Sequence, residues 1–306
     1  MRSNCNGATL PLMVGRMFWG PVIVAALAGS LQLSIHNTNS TTTGAHALQP
    51  SRRPASMAAP SASADPAAEK QLFLLINQSR AEAGLAVLRL EPSLTEAARA
   101  HARFLVANER LEHQFSGEPT LLERIAKVST LNLDRAGENI AHDACVEHAH
   151  LVLMHSPPHR RNLLDAGFNM VGVAVMGSNG RLYVVEDFGG QVRSLTAGET
   201  RQLVREAVRE ARREVGMGPL TPYDSPDLDR SVCQMTESGP PSARLLQASN
   251  GNRRIVAYTQ SRPEILPQKA LPLLRAPDVR QFAVGSCYSR TVSYPTGMYW
   301  VAILLY

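Results

Sequence analysis

The sequence has few aromatic residues and few cysteines, and it lacks several signatures of known chemistry. Aromatics make up 5% of its 306 residues, too few for the stacking platform that single-stranded nucleic acid requires. Four cysteines in a chain of this length cannot form a disulfide scaffold, and without a CxxC pair there is no zinc-knuckle or thioredoxin-type centre. The absence of HExxH speaks against a standard zinc protease, and the absence of GxSxG against an α/β-hydrolase nucleophile elbow. No glycine-rich phosphate cradle occurs. No histidine follows His159. The net charge of +5 is diffuse. Its densest stretch, Arg201 to Arg213, also carries Glu206 and Glu210, which describes a solvated helix face and not a phosphate-binding stripe.

With hydrophobic residues at 44% and charged residues at 19%, most of the chain buries a core, and the length suits two domains. Arg2 and Arg16 precede an apolar run from Met17 to Leu33. This reads as a secretory signal, or as an uncleaved anchor at the lower length limit for a span. Residues 1–33 are therefore assigned to the leader, and either reading places the remainder outside the cytoplasm, secreted or in the cell envelope. Residues 34–65, rich in Ser, Thr, Ala and Pro, read as a disordered tether.

From residue 66 the pattern is helical, then stranded. Asp65-Pro66 opens a first helix that ends at Gly84. Ser93 to Glu96 reads as a capping box opening a second, with Leu94, Ala97, Ala98, His101 and Leu105 on its inner face. Further helices are expected through Leu121–Ile125, over Cys145–Met154 and after Ser156-Pro157-Pro158. Strands over Met170–Met176 and Arg181–Phe188 flank a Gly177–Gly180 turn. Helices followed by strands predict an α/β sandwich. The grammar then restarts at a second capping box, Thr196–Glu199. Arg80, Gly84, Leu88 and Leu94 are matched by Arg212, Gly216, Leu220 and Leu228, which suggests a tandem duplication: a module over 66–192 and a degenerate copy over 193–306. Cys233 and Cys287 of the second module can pair in an oxidising compartment, which would leave Cys145 unpaired, although other pairings stay open.

Of nine histidines, His142, His148, His150, His155 and His159 fall in one short stretch, and His101 and His113 lie in the same module. His101 reads as a core histidine bonded to a backbone carbonyl. His113, in a loop beside apolar residues, suits a ligand in a cleft. Glu138, in the compact polar insertion Gly137-Glu138-Asn139-Ile140-Ala141, needs a cation or several donors if it is buried. Metal coordination and a hydrogen-bond hub both remain open for it. His159 sits in the first turn of a helix, where the dipole favours neutral imidazole, suited to a ligand or a base. His148 and His155 read as a wet helix surface. Glu147 and His150 share a helix face. Cys145, inside a helix without evident oxyanion donors, makes a poor nucleophile candidate.

The stretches LINQSRAEAGLAVL, LTEAARAHARFLVANERLEHQ, GENIA, MHSPPHRRNLL, FNMVGVAV and LYVVEDFG, in that order, resemble the CAP superfamily (cysteine-rich secretory proteins, antigen 5 and pathogenesis-related proteins), in its bacterial secreted branch. The resemblance covers about residues 70–190. It implies an α-β-α sandwich with a cleft lined by two histidines and two acids, which in several members holds a divalent cation, zinc foremost. His113 and His159 take the two histidine positions and Glu138 the GEN acid. Asn139 lies beside it, and Glu147 is the nearest candidate for the second acid. The implied metal set is His113, Glu138 and His159. The family implies binding of a small apolar ligand, an envelope component or a protein more often than catalysis, so no enzyme activity is assigned. No nucleic-acid partner is expected, and membrane contact only through the N-terminal segment. Two alternatives stand beside this: a metal-dependent extracytoplasmic hydrolase with Glu138 as base, and a purely structural surface module.

Overall fold

Residues 63–238 and 254–306 are described by a computed structural model. The leader, residues 34–62 of the tether, Cys5, His36 and His46 lie outside the described residues. The last tether residues belong to the fold: Ala64 bridges to Met176, and the Asp65 amide donates to the Val175 carbonyl at 2.9 Å. Among the described residues no helix is long and apolar enough to cross a membrane.

The first module runs α1 (Pro66–Glu82), β1 (Arg89–Leu90), α2 (Pro92–Asn108), α3 (Leu121–Val128), β2 (Leu133–Asp143), α4 (Val146–His155), α5 (Pro157–Leu163), β3 (Met170–Ser178) and β4 (Arg181–Gln191). The Asp65 carboxylate caps α1 by accepting from the Ala67 and Ala68 amides. The second helix begins earlier than its sequence suggests: Pro92 takes the first turn and Glu91 the capping role, so Ser93 is already inside. Pro at that position costs nothing, because its missing N–H would have no helical partner. The strands form one sheet in the order β1-β3-β4-β2, with β1 parallel to β3 and the other pairs antiparallel. Asn179 and Gly180, both with positive φ, close the β3–β4 hairpin.

Because side chains alternate across a strand, the sheet has two buried faces. Leu94, Ala98, Ala102 and Leu105 of α2 pack on one, against Ala174 and Val185. Leu72 and Ile76 of α1, Ala149 and Leu153 of α4, and Leu163 of α5 pack on the other, against Val171, Val173, Val184 and Phe188. The architecture is the expected α-β-α sandwich.

The second module runs α6 (Ala197–Arg213), β5 (Thr221–Pro222), α7 (Pro226–Ser238), β6 (Arg254–Gln260), one helical turn at Leu271–Leu274, β7 (Gln281–Thr291) and β8 (Tyr294–Leu305). Its sheet has the order β5-β7-β8-β6, with the same parallel and antiparallel senses as the first. The Thr196–Glu199 capping box is formed. Two further devices recur. Arg80 is buried and donates to the carbonyls of Ala86, Leu163 and Asp165 at 2.8–3.0 Å. Arg212 is likewise buried and donates to Gly218 and Leu274, each at 2.8 Å. Gly172 lies where a Cβ would collide with the backbone of Leu94, and Gly285 where it would collide with Leu228. A disulfide joins Cys233 on α7 to Cys287 on β7. Cys145 is also disulfide-bonded, which settles the alternative left open for it and removes it as a nucleophile.

Candidate functional site

The GENIA segment is not an insertion. It is the middle of β2, an edge strand of eleven residues. Its polar letters disguised the alternation that identifies a strand. On β2, Glu138 stands opposite Asp187 of β4, and Asn139 opposite Glu186. Neighbouring residues point to opposite faces, so each face of the sheet buries one acid from β4.

On the α2 face, Glu138 is nearly enclosed, and its carboxylate accepts from the Arg124 guanidinium on α3 and meets His113 Nδ1 at 2.8 Å. Arg124 also reaches Glu118 Oε1 at 3.3 Å, and that oxygen lies 2.6 Å from His101 Nδ1. His101 is a core residue as expected, but its partner is a carboxylate and not a backbone carbonyl. Asp187 completes the group. Burial, and then the charge of Glu138, push its carboxyl well above the ordinary range. A proton kept on Asp187 lets it sit beside Glu138 without a second negative charge. Most of this network escaped the sequence because its members come from four elements and the α2–α3 loop. The visible signal was weak: two acids, Glu186 and Asp187, in an otherwise apolar strand.

On the opposite face, Asn139 donates to Glu186 Oε2 at 2.9 Å and to the His159 carbonyl at 3.1 Å, and it accepts from Asn162 at 2.9 Å. Glu186 is fully buried, and desolvation raises its pKa to about 8, against the lowering effect of the Asn139 hydrogen bond. These bonds fix α5 on β2. They bring His159, whose Nδ1 lies 2.8 Å from Ser156 Oγ, towards His113. Burial lowers the His159 pKa, and the proximity of His113 lowers it further.

His113 is thus tied to Glu138, and His159, held near β2 through its carbonyl and Asn139, lies close enough to His113 to feel its charge. Glu147 does not join them: it is exposed and bonds Gln71 on α1. His150 faces the same helix, with Nε2 2.9 Å from Ser79 Oγ. His148 pairs with Asp143 at 2.6 Å, and His155 bonds the Leu151 carbonyl in an exposed position.

The donor set fits a three-ligand metal centre poorly. Glu138 is already held by a guanidinium and an imidazole, and Arg124 is a fixed positive charge next to any cation bound there. Among the described residues no group of three His, Cys, Asp or Glu side chains is arranged to hold a metal ion.

The α-β-α sandwich with paired histidines at an edge strand defines a class, and the family comparison agrees with it. Residues 73–188 match the model of the CAP family, the cysteine-rich secretory protein family. The matched stretch lies within the first module. Similar solved structures include an extracellular SCP-domain protein from Bacillus anthracis, 28% identical with TM-score 0.36, the match covering 41% of each chain. An outer surface protein from Borrelia burgdorferi is 20% identical with TM-score 0.40, over 43% of this chain and 99% of that one. A cysteine-rich secretory protein from Staphylococcus aureus is 21% identical with TM-score 0.33, over 46% of this chain and 42% of that one. The chain thus spans less than half the length of the Bacillus and Staphylococcus proteins. No curated protein matches it.

Proposed function

We propose that this is an extracytoplasmic binding protein whose first module receives a ligand between the imidazoles of His113 and His159, and whose second module is a copy that gave up the site. One observation carries the reading. His113 is 59% exposed in its side chain while its Nδ1 is anchored on buried Glu138. An accessible ring with a fixed orientation is what a recognition group requires. Glu138 acts here as the orienting acid, not as a ligand or base, and this favours binding over hydrolysis. The secretory leader and the disulfides favour an oxidising, extracytoplasmic compartment.

Zn²⁺ tests whether the two rings converge. Calorimetric titration of the purified protein should show a single site, lost in the His113→Ala, His159→Ala double variant. If the wild type binds no Zn²⁺, or if the double variant binds it equally well, the two-imidazole cleft is refuted.

A further inference from the structure

The second module grips the chain between the two ends of the cleft's ion pair. Arg290, on β7, donates from Nη1 to the Ser129 carbonyl at 2.8 Å and to that of Ala126 at 3.4 Å, and from Nη2 to that of Leu131 at 3.4 Å. Arg262, after β6, pairs with Asp134 at 2.9 Å. All four contacted residues lie between Arg124 on α3 and Glu138 on β2. A helix leaves its last carbonyls without helical partners, and a cation placed there is favourable. Here the cation comes from another module. A hollow of about 470 Å³, lined by Glu118, Pro119, Glu123, Ala126, Lys127 and Pro295, separates the outer side of α3 from the β7–β8 turn. On that side the grip is polar and local.

From this we infer that the second module is a clamp for the first, with Arg290 as the positioning residue that holds the end of α3, and through it the Arg124–Glu138–His113 chain, in register. The inference deepens the proposed binding role by naming what keeps the cleft in shape. Its test uses no ligand, so it can fail while the binding reading stands, and the reverse. A module without a histidine is thereby retained for its hold on the module that has them.

The experiment compares the full chain with Arg290→Ala, Arg290→Lys and Arg262→Ala. Two readouts are followed: amide hydrogen exchange, and the NMR signals of the Arg124 guanidinium, which report its bond to Glu138. Arg290 is exposed, so its loss leaves both cores intact. In Arg290→Ala, exchange across residues 124–139 should rise about tenfold or more, in line with loss of a local hold and not of global stability. The Arg124 guanidinium signals should shift and broaden as its bond to Glu138 loses its fixed place. Arg290→Lys should restore part of both effects, and Arg262→Ala should show the same pattern more weakly. Faster exchange confined to the β7–β8 hairpin, or unmoved Arg124 guanidinium signals in Arg290→Ala, would overturn the proposal.

Discussion

The two modules share a scaffold and differ in what they bury. The close-approach glycines fix the comparison, because each sits at the same point of its sheet. Gly172 stands opposite Asp187, and Gly285 opposite Ala302. One strand further, Asp187 faces Glu138 while Ala302 faces Ala257, and Glu186 faces Asn139 while Val301 faces Tyr258. His101 follows Leu94 by the same interval as Met235 follows Leu228, and both are buried. Where the first module places an ionic network, the second places Ala257, Ala302, Met235 and Trp300 in an apolar cluster. The sandwich therefore does not need the charges. Burying ions carries a desolvation cost that apolar side chains avoid, and the first module bears that cost where the second does not.

The largest way to test this contrast is pH. The folded-state pKa of Glu186 is raised to about 8 from the ordinary glutamate value of 4.5. The folded chain keeps this proton where the unfolded chain has lost it. The resulting stabilisation is complete below the unfolded value and is lost as pH rises through the folded one. The difference is on the order of 5 kcal/mol across that window. Asp187, raised in the same sense, adds to it. Thermal unfolding should show stability falling from about pH 5 to pH 8, and Glu186→Gln should flatten much of that slope. An unchanged slope would mean that the acid does not stay protonated.

A slightly smaller effect sharpens the other side of the comparison. The second module ties α7 to β7 with the Cys233–Cys287 disulfide across a separation of 54 residues, and the first has no such tie between α2 and β3. Removing that crosslink by Cys233→Ser with Cys287→Ser should cost about 4 kcal/mol on the loop-entropy account. Hydrogen exchange should rise in β7 and β8 far more than in β3 and β4. Uniform acceleration in both sheets would show that the modules unfold as one unit.

The smallest effect concerns the shared scaffold itself. Gly172→Ala and Gly285→Ala should each destabilise by about 1–3 kcal/mol through overpacking. Gly172→Ala should be the worse of the two, because its Cβ meets the Leu94 backbone first, whereas at Gly285 the nearest atom is in the Leu228 side chain. Denaturant midpoints would decide. Equal costs would remove the distinction between backbone and side-chain clash.

Local chemistry was legible in the chain. Helix starts, the Asn179-Gly180 turn, the recurring Arg, Gly and Leu positions and the motif order each depend on neighbours within a turn or two, and they predicted the α-β-α class, while the pairing of Cys233 with Cys287 was left open among alternatives. Hydrophobic period failed at β2, where a strand reads as polar because its partners are polar too. Only tertiary structure decided that Glu138 belongs to Arg124 and His113, that Glu147 faces α1, and that Asp187 and Glu186 keep protons inside the sheet. Those outcomes rest on register across strands and on desolvation. Both are properties of residues distant in sequence and adjacent in space, and no local spacing encodes them.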